Sequence, residues 1–163
     1  MPTIRLVTHV DAPTERVFDL ARSVDLQYET LRLDARPVAG LTGGLGAPGE
    51  KTVWRASVFG KRVDLTTKVT AYSRPHHFRR TLVRGPFDRL IHDYFFVFED
   101  QDDPEDGTVM REVFTYESPY GPLGRVVDSI LRERLEGMLA ARADRIREVA
   151  ESEDGEWRRY LSD

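Results

Sequence analysis

His92, Glu112, Arg80, Tyr94 and Tyr116 are polar side chains lying inside strand-like stretches that are otherwise largely apolar. A histidine and a carboxylate brought together can pass a proton, and an arginine or a tyrosine can orient the polar end of a ligand. The other candidate constellations are weaker. Gly44-Leu45-Gly46-Ala47-Pro48-Gly49 satisfies G-x-G-x-x-G, but a strand-like segment follows where phosphate binding needs a helix N-terminus, and Glu50 repels phosphate. His76 and His77 are adjacent, so on a strand they point to opposite faces and make a poor chelate. The acidic run Asp100, Asp102, Asp103, Glu105 and Asp106 lacks calcium-loop spacing and reads as a solvated turn. There is no G-x-S-x-G elbow. No metal and no cofactor is expected.

Composition narrows the classes further. The 163 residues suit one domain, and 24 Lys+Arg against 28 Asp+Glu give a net charge of -4. That balance argues against a nucleic-acid or anionic-membrane binder. The absence of cysteine excludes disulfides, thiol nucleophiles and cysteine-based metal centres. No apolar run approaches the ~20 residues a membrane span needs, and the start MPTIRLVTHVDAP does not read as a signal peptide. The expectation is a cytoplasmic protein with no integral membrane association.

The elements that must position these side chains follow from periodicity. Residues 3–10 alternate as a strand, and Asp11-Ala12-Pro13 opens a short helix with Val17, Phe18 and Ala21 on its apolar stripe. A second short helix covers 24–31, and 36–39 is extended. Glycine-rich 40–49, with little to anchor it beyond Leu41 and Leu45, predicts a mobile flap. Strand-like segments then cover 50–59, 62–72, 77–84, 87–99 and 108–118, with short breaks that imply an antiparallel meander. From Tyr120-Gly121-Pro122-Leu123-Gly124 a helix runs to about residue 152. Leu123, Val126, Val127, Ile130, Leu131, Leu135, Met138, Leu139, Ile146 and Val149 form its predicted apolar face. Arg132, Arg134, Arg142, Arg145 and Arg147, interleaved with acids, form its solvent face. The fold class is α+β, with the domain at 1–152 and a polar tail at 153–163.

Several of these motifs resemble the START-like (SRPBCC) superfamily, whose members include polyketide cyclases and lipid-transfer domains. They are Val10-Asp11-Ala12-Pro13 with Val17-Phe18, the Trp54 strand ending in Phe59-Gly60, Arg84-Gly85-Pro86-Phe87 leading to His92, and Gly121-Pro122-Leu123-Gly124-Arg125. The order and spacing are similar to bacterial cyclase/dehydrase-like and cell-division-inhibitor-like proteins over residues 3–150. The resemblance implies a helix-grip fold, with a curved antiparallel sheet of six to seven strands around the long C-terminal helix. It also implies a cavity between them and turns the face carrying His92 towards the helix.

On that assignment Trp54, Arg80, His92, Tyr94, Met110, Glu112, Phe114, Tyr116, Leu131, Leu135 and Met138 line the interior. The expected function is to bind or carry a hydrophobic small molecule that is lipid-, isoprenoid- or polyketide-like. The alternatives are a cyclase/dehydratase-type enzyme using His92 and Glu112, or an interaction protein with a filled core. A cavity above ~300 Å³ separates the first two from the third. A hairpin centred near 103–104 pairs residue i with 207−i and sets His92 opposite Thr115; one irregularity in the acidic turn would instead bring Phe114 or Tyr116 opposite, with Glu112 a diagonal step away. Arg80 is the alternative partner for Glu112.

Overall fold

A computed structural model describes residues 2–31, 35–58 and 60–161 of the chain. Strand β1 (Thr3–Val10) is followed by helices α1 (Thr14–Arg22) and α2 (Val24–Leu31), and then by β2 (Ala35–Gly40), β3 (Lys51–Val58), β4 (Lys61–Ser73), β5 (His77–Arg84), β6 (Arg89–Asp100) and β7 (Asp103–Glu117). Helix α3 (Gly124–Ala150) follows a short 3₁₀ turn, and a second 3₁₀ turn spans Glu156–Tyr160. The seven strands form one antiparallel sheet in the order β1-β7-β6-β5-β4-β3-β2. Only β1 is out of sequence order, because α1 and α2 intervene before the meander starts. This is the helix-grip arrangement, with α1 and α3 over one face of the sheet. Phe59, at the end of the predicted Trp54 strand, lies outside the described residues.

Alternation decides which side chains meet the helices. Phe78 on β5, Tyr94 and Phe96 on β6 and Met110 on β7 point inward and are buried. Phe18 of α1 enters this layer edge-on, 5.2–5.4 Å from the rings of Tyr72, Phe78 and Phe96. Rings in such T-shaped contact gain beyond their area of burial. The second half of α3 closes the layer with Ala143, Ile146, Val149 and Ala150.

Three expectations change. Leu123, Val126 and Ile130 are not on the buried face; each is at least 60% exposed. Between Gly124 and Met138 only Gly124 and Leu131 are fully buried, whereas Leu139–Ala150 packs tightly. Arg142, assigned to the solvent face, is buried instead. The 40–49 segment is anchored through its own main chain, which bonds both main-chain and side-chain partners, rather than through apolar side chains. Val24 N–H donates to Gly44 O, Gly46 N–H to Arg22 O and Leu41 N–H to Lys51 O. Gly44 N–H also donates to Asp25 Oδ2. A Cβ on Gly40 (φ +71°) would lie 2.3 Å from Lys51 O, so glycine is required there.

The polar tail carries its own anchors. Tyr160 is buried and its hydroxyl donates to Glu29 of α2, while the Arg16 guanidinium lies 3.9 Å from the centre of the Trp157 ring. Leu139→Ala is expected to cost about 2–5 kcal/mol in denaturant unfolding, and Ile130→Ala no more than about 0.5 kcal/mol. Equal losses would mean that the first half of α3 packs as firmly as the second.

Candidate functional site

The β6–β7 hairpin places the candidate pair. Asx-type contacts, Asp102 N–H to Asp100 Oδ1 and Glu105 N–H to Asp103 Oδ1, tighten the acidic turn. The register shifts between Phe98 and Asp100. Strand β7 therefore starts at Asp103, and His92 sits opposite Phe114 while Tyr94 sits opposite Glu112. All four then face inward. His92 Nε2 and Glu112 Oε1 are 3.0 Å apart, and Glu112 is only 1% exposed.

Burial pushes the Glu112 carboxyl up to about 8. Burial, with the nearby charges of Arg142 and Arg80, holds His92 well below its ordinary value. The contact is thus a hydrogen bond between neutral partners at neutral pH: the carboxyl O–H donates to the ring nitrogen. Glu112 Oε2 is buried without a hydrogen-bond partner. The His92 ring stacks on Tyr94 at 4.0 Å and meets Phe114 edge-on.

Arg80 does not reach Glu112. It lies opposite His92 on β5, and its guanidinium donates to Gln27 Oε1 of α2 at 2.6 Å and to Arg22 O at 2.9 Å. Burial lowers its pKa to about 10. Arg142, absent from the sequence-derived set, comes down from α3 to donate to the Tyr94 hydroxyl and to Ala21 O, the latter at 2.7 Å. Its Nε has no partner. A spacing signal for it exists: Arg142 falls seven residues after Leu135 and seven before Val149, in register with the buried stripe. Ala21 and Arg22 end α1, where carbonyls lack intrahelical partners, so the two guanidiniums meet the negative end of that helix.

The remaining expected site residues divide. Met110 and Phe114 adjoin the cluster. Tyr116 instead donates to Asp128 O of α3 at 2.8 Å and ties the helix to the sheet. Leu131 and Leu135 pack beside it, whereas Trp54 and Met138 belong to a separate group with Val24 and Leu31. A small pocket bounded by Val24, Leu41, Gly46, Val69 and Arg80 holds about 10 Å³, room for a single water. It falls well short of the cavity expected beneath α3. On the opposite sheet face His77 Nε2 contacts Asp93 at 2.7 Å and Arg79 clasps the same carboxylate, an ion-pair group the sequence reading missed. His9 contacts Glu99. Among the described residues no group of three His, Asp or Glu side chains is arranged to hold a metal ion.

The family described as polyketide cyclase/dehydrase and lipid transport matches residues 1–151. The chain belongs to that family. Among solved structures it is similar to a Thermus thermophilus protein (22% identity, TM-score 0.65, covering 89% of this chain and 97% of that one). A START superfamily protein of Mycobacterium smegmatis is similar at 15% identity and TM-score 0.65, covering 88% and 96%. Truncated norcoclaurine synthase of Thalictrum flavum gives 14% and 0.64, covering 93% and 94%. At these identities the likeness establishes the fold. Among curated sequences none matches. No helix among the described residues is long and apolar enough to cross a membrane.

The neutral pair has a pH signature. Above about pH 6.5 His92 is uncharged in both folded and unfolded chains, so Glu112 acts alone. The folded protein keeps the Glu112 proton that the unfolded chain releases, so stability falls as pH rises from about 6.5 to 8, by roughly 2 kcal/mol. Below pH 6.5 protonation of unfolded His92 offsets the gain. Glu112→Gln is expected to flatten the 6.5–8 slope in denaturant melts; an unchanged slope would contradict the neutral pair.

Proposed function

We propose that the protein reversibly binds a hydrophobic small molecule between the sheet and the first half of α3, with the His92–Glu112 end of the interior receiving its polar group. The observation that carries this reading is that Glu112 Oε2 and Arg142 Nε are buried without partners in an aromatic interior, two of three such side-chain atoms among the described residues, the third being Asp128 Oδ1 of α3. A buried polar atom without a partner costs about 1–3 kcal/mol, which a ligand's polar end can recover. Apolar burial would supply the remaining affinity at roughly 25 cal/mol per Å².

Because the interior is packed, a ligand enters only if something moves. Gly124–Met138 is lightly buried, Leu139–Ala150 is firmly held, and Gly137 lies beside the boundary. A mid-helix glycine weakens a helix by up to about 1 kcal/mol relative to alanine. In this reading α3 swings about Gly137. A second reading, acid–base chemistry on a bound ketone, is favoured by Glu112 alone: a carboxyl at about 8 can both give and take a proton near neutral pH.

Native mass spectrometry of freshly purified protein is expected to show a co-purifying small molecule. Hydrogen exchange is expected to be faster in 124–136 than in 139–150, and slower in 124–136 once that molecule is bound. An empty protein with uniform protection along α3 would favour an interaction protein with a filled core. A Cβ at Gly137 meets nothing within 4 Å, so Gly137→Ala should fold normally and take up ligand several-fold more slowly; an unchanged uptake rate would rule out this hinge.

A further inference from the structure

The charges of the buried cluster do not balance. Arg80 and Arg142 are both buried, and the Arg80 charge adds to the burial that disfavours the charged form of Arg142. Among the described residues neither has a carboxylate within ion-pair distance. The other buried carboxylates are committed elsewhere: Asp19 to Arg22 and Arg74, and Asp93 to Arg79 and His77. Glu112, the remaining one, bonds His92 and carries a proton at neutral pH. What faces the two guanidiniums is a set of neutral acceptors: Gln27 Oε1, the Tyr94 hydroxyl and the last carbonyls of α1. The C-terminal end of a helix supplies the equivalent of about half a negative charge, against two full positive ones. Arginine is rarely buried without a paired anion.

Position adds to charge. Arg80 forms part of the wall of the small pocket under the 41–50 segment, with Lys68 and Glu50 also in that wall, so two cationic side chains face one carboxylate there. The pocket is bounded on its apolar side by Val24, Leu41 and Val69, and Leu41 also belongs to the group that includes Met138 of α3. An amphipathic molecule admitted beneath α3 would therefore meet apolar surface along its length and a guanidinium at its end.

We propose that the ligand of this interior is an amphipathic anion, a hydrophobic body ending in a carboxylate, whose charged end is held by Arg80 with Arg142 as the second positive charge. The inference rests on the binding reading above and specifies the chemical class for that site. A carboxylate takes Arg80 in a two-point contact by displacing Gln27 Oε1, a neutral acceptor, so the stronger charge-assisted bond replaces the weaker. Protonated Glu112 sets no opposing charge beside it.

The test compares decanoate with decan-1-ol, equal in chain length and different in charge, by titration calorimetry at pH 7.5 below their aggregation concentrations. Wild-type protein is expected to bind decanoate at least ten-fold more tightly than the alcohol, and Arg80→Gln to lose most of that preference while still binding the alcohol. Binding of both within ten-fold of each other would overturn the anion inference and leave the binding reading standing. Binding of neither would overturn both. A decanoate preference that survives in both Arg80→Gln and Arg142→Gln would overturn the assignment of the site. Should Arg80→Gln fail to fold, as judged by its thermal transition, Arg80→Lys keeps the charge but loses the two-point geometry, and is expected to retain only part of the preference.

Discussion

The end of helix α1 is the constraint around which the interior is arranged. A nine-residue helix lying between a sheet and a second helix must bury its last carbonyls, and buried carbonyls require donors. Two arginines supply them from opposite layers: Arg80 from β5 reaches Arg22 O, and Arg142 from α3 reaches Ala21 O. The 41–50 segment adds Gly46 N–H to Arg22 O. One helix terminus thereby joins the sheet, α2, α3 and the glycine-rich segment. Tyr94 lies between the Phe78 and His92 rings, 4.4 and 4.0 Å from them, and its hydroxyl accepts from Arg142. The sense in which the sheet grips the helix is thus set by polar groups as much as by the aromatic core.

That arrangement explains what could and could not be read from the residues. The meander, the inward faces of β6 and β7, and the approach of His92 to Glu112 follow from period-two alternation and from a turn whose aspartates favour local irregularity. The register needed one displaced residue, and the structure has it between Phe98 and Asp100. Arg142 defeated the same reasoning because charge was given more weight than spacing, although its position in the heptad matched its buried neighbours. Leu123, Val126 and Ile130 failed in the opposite direction: their spacing fits a helix stripe, but the stripe that meets the sheet is the neighbouring one, where Val127, Leu131 and Leu135 pack with Ile4, Phe114 and Tyr116. The hold on 40–49 was invisible because it acts on the segment's own main-chain atoms, which carry no sequence signal, even where the partner is a side chain such as Asp25, Arg22 or Thr52.

Family membership and geometry constrain function at different levels. The fold is shared with proteins as different as a START superfamily protein and a norcoclaurine synthase, so the scaffold does not choose between carrying a molecule and transforming one. The interior of this chain does express a preference. In the proposed reading its unpartnered atoms and its excess of buried guanidinium charge receive a ligand's polar group, and the first half of α3, held through Tyr116 and Leu131, is less extensively buried than Leu139–Ala150. Binding and proton transfer would use the same residues, with Glu112 and His92 orienting a ligand in one case and exchanging a proton with it in the other.

The most direct measurement is a crystal structure of the protein grown with decanoate. The account places the alkyl chain between the sheet and the first half of α3, with the carboxylate within hydrogen-bonding distance of Arg80. The helix should be displaced on the N-terminal side of Gly137. A molecule bound on the outer sheet face, or an interior in which Arg80 still holds Gln27 and α3 has not moved, would contradict it.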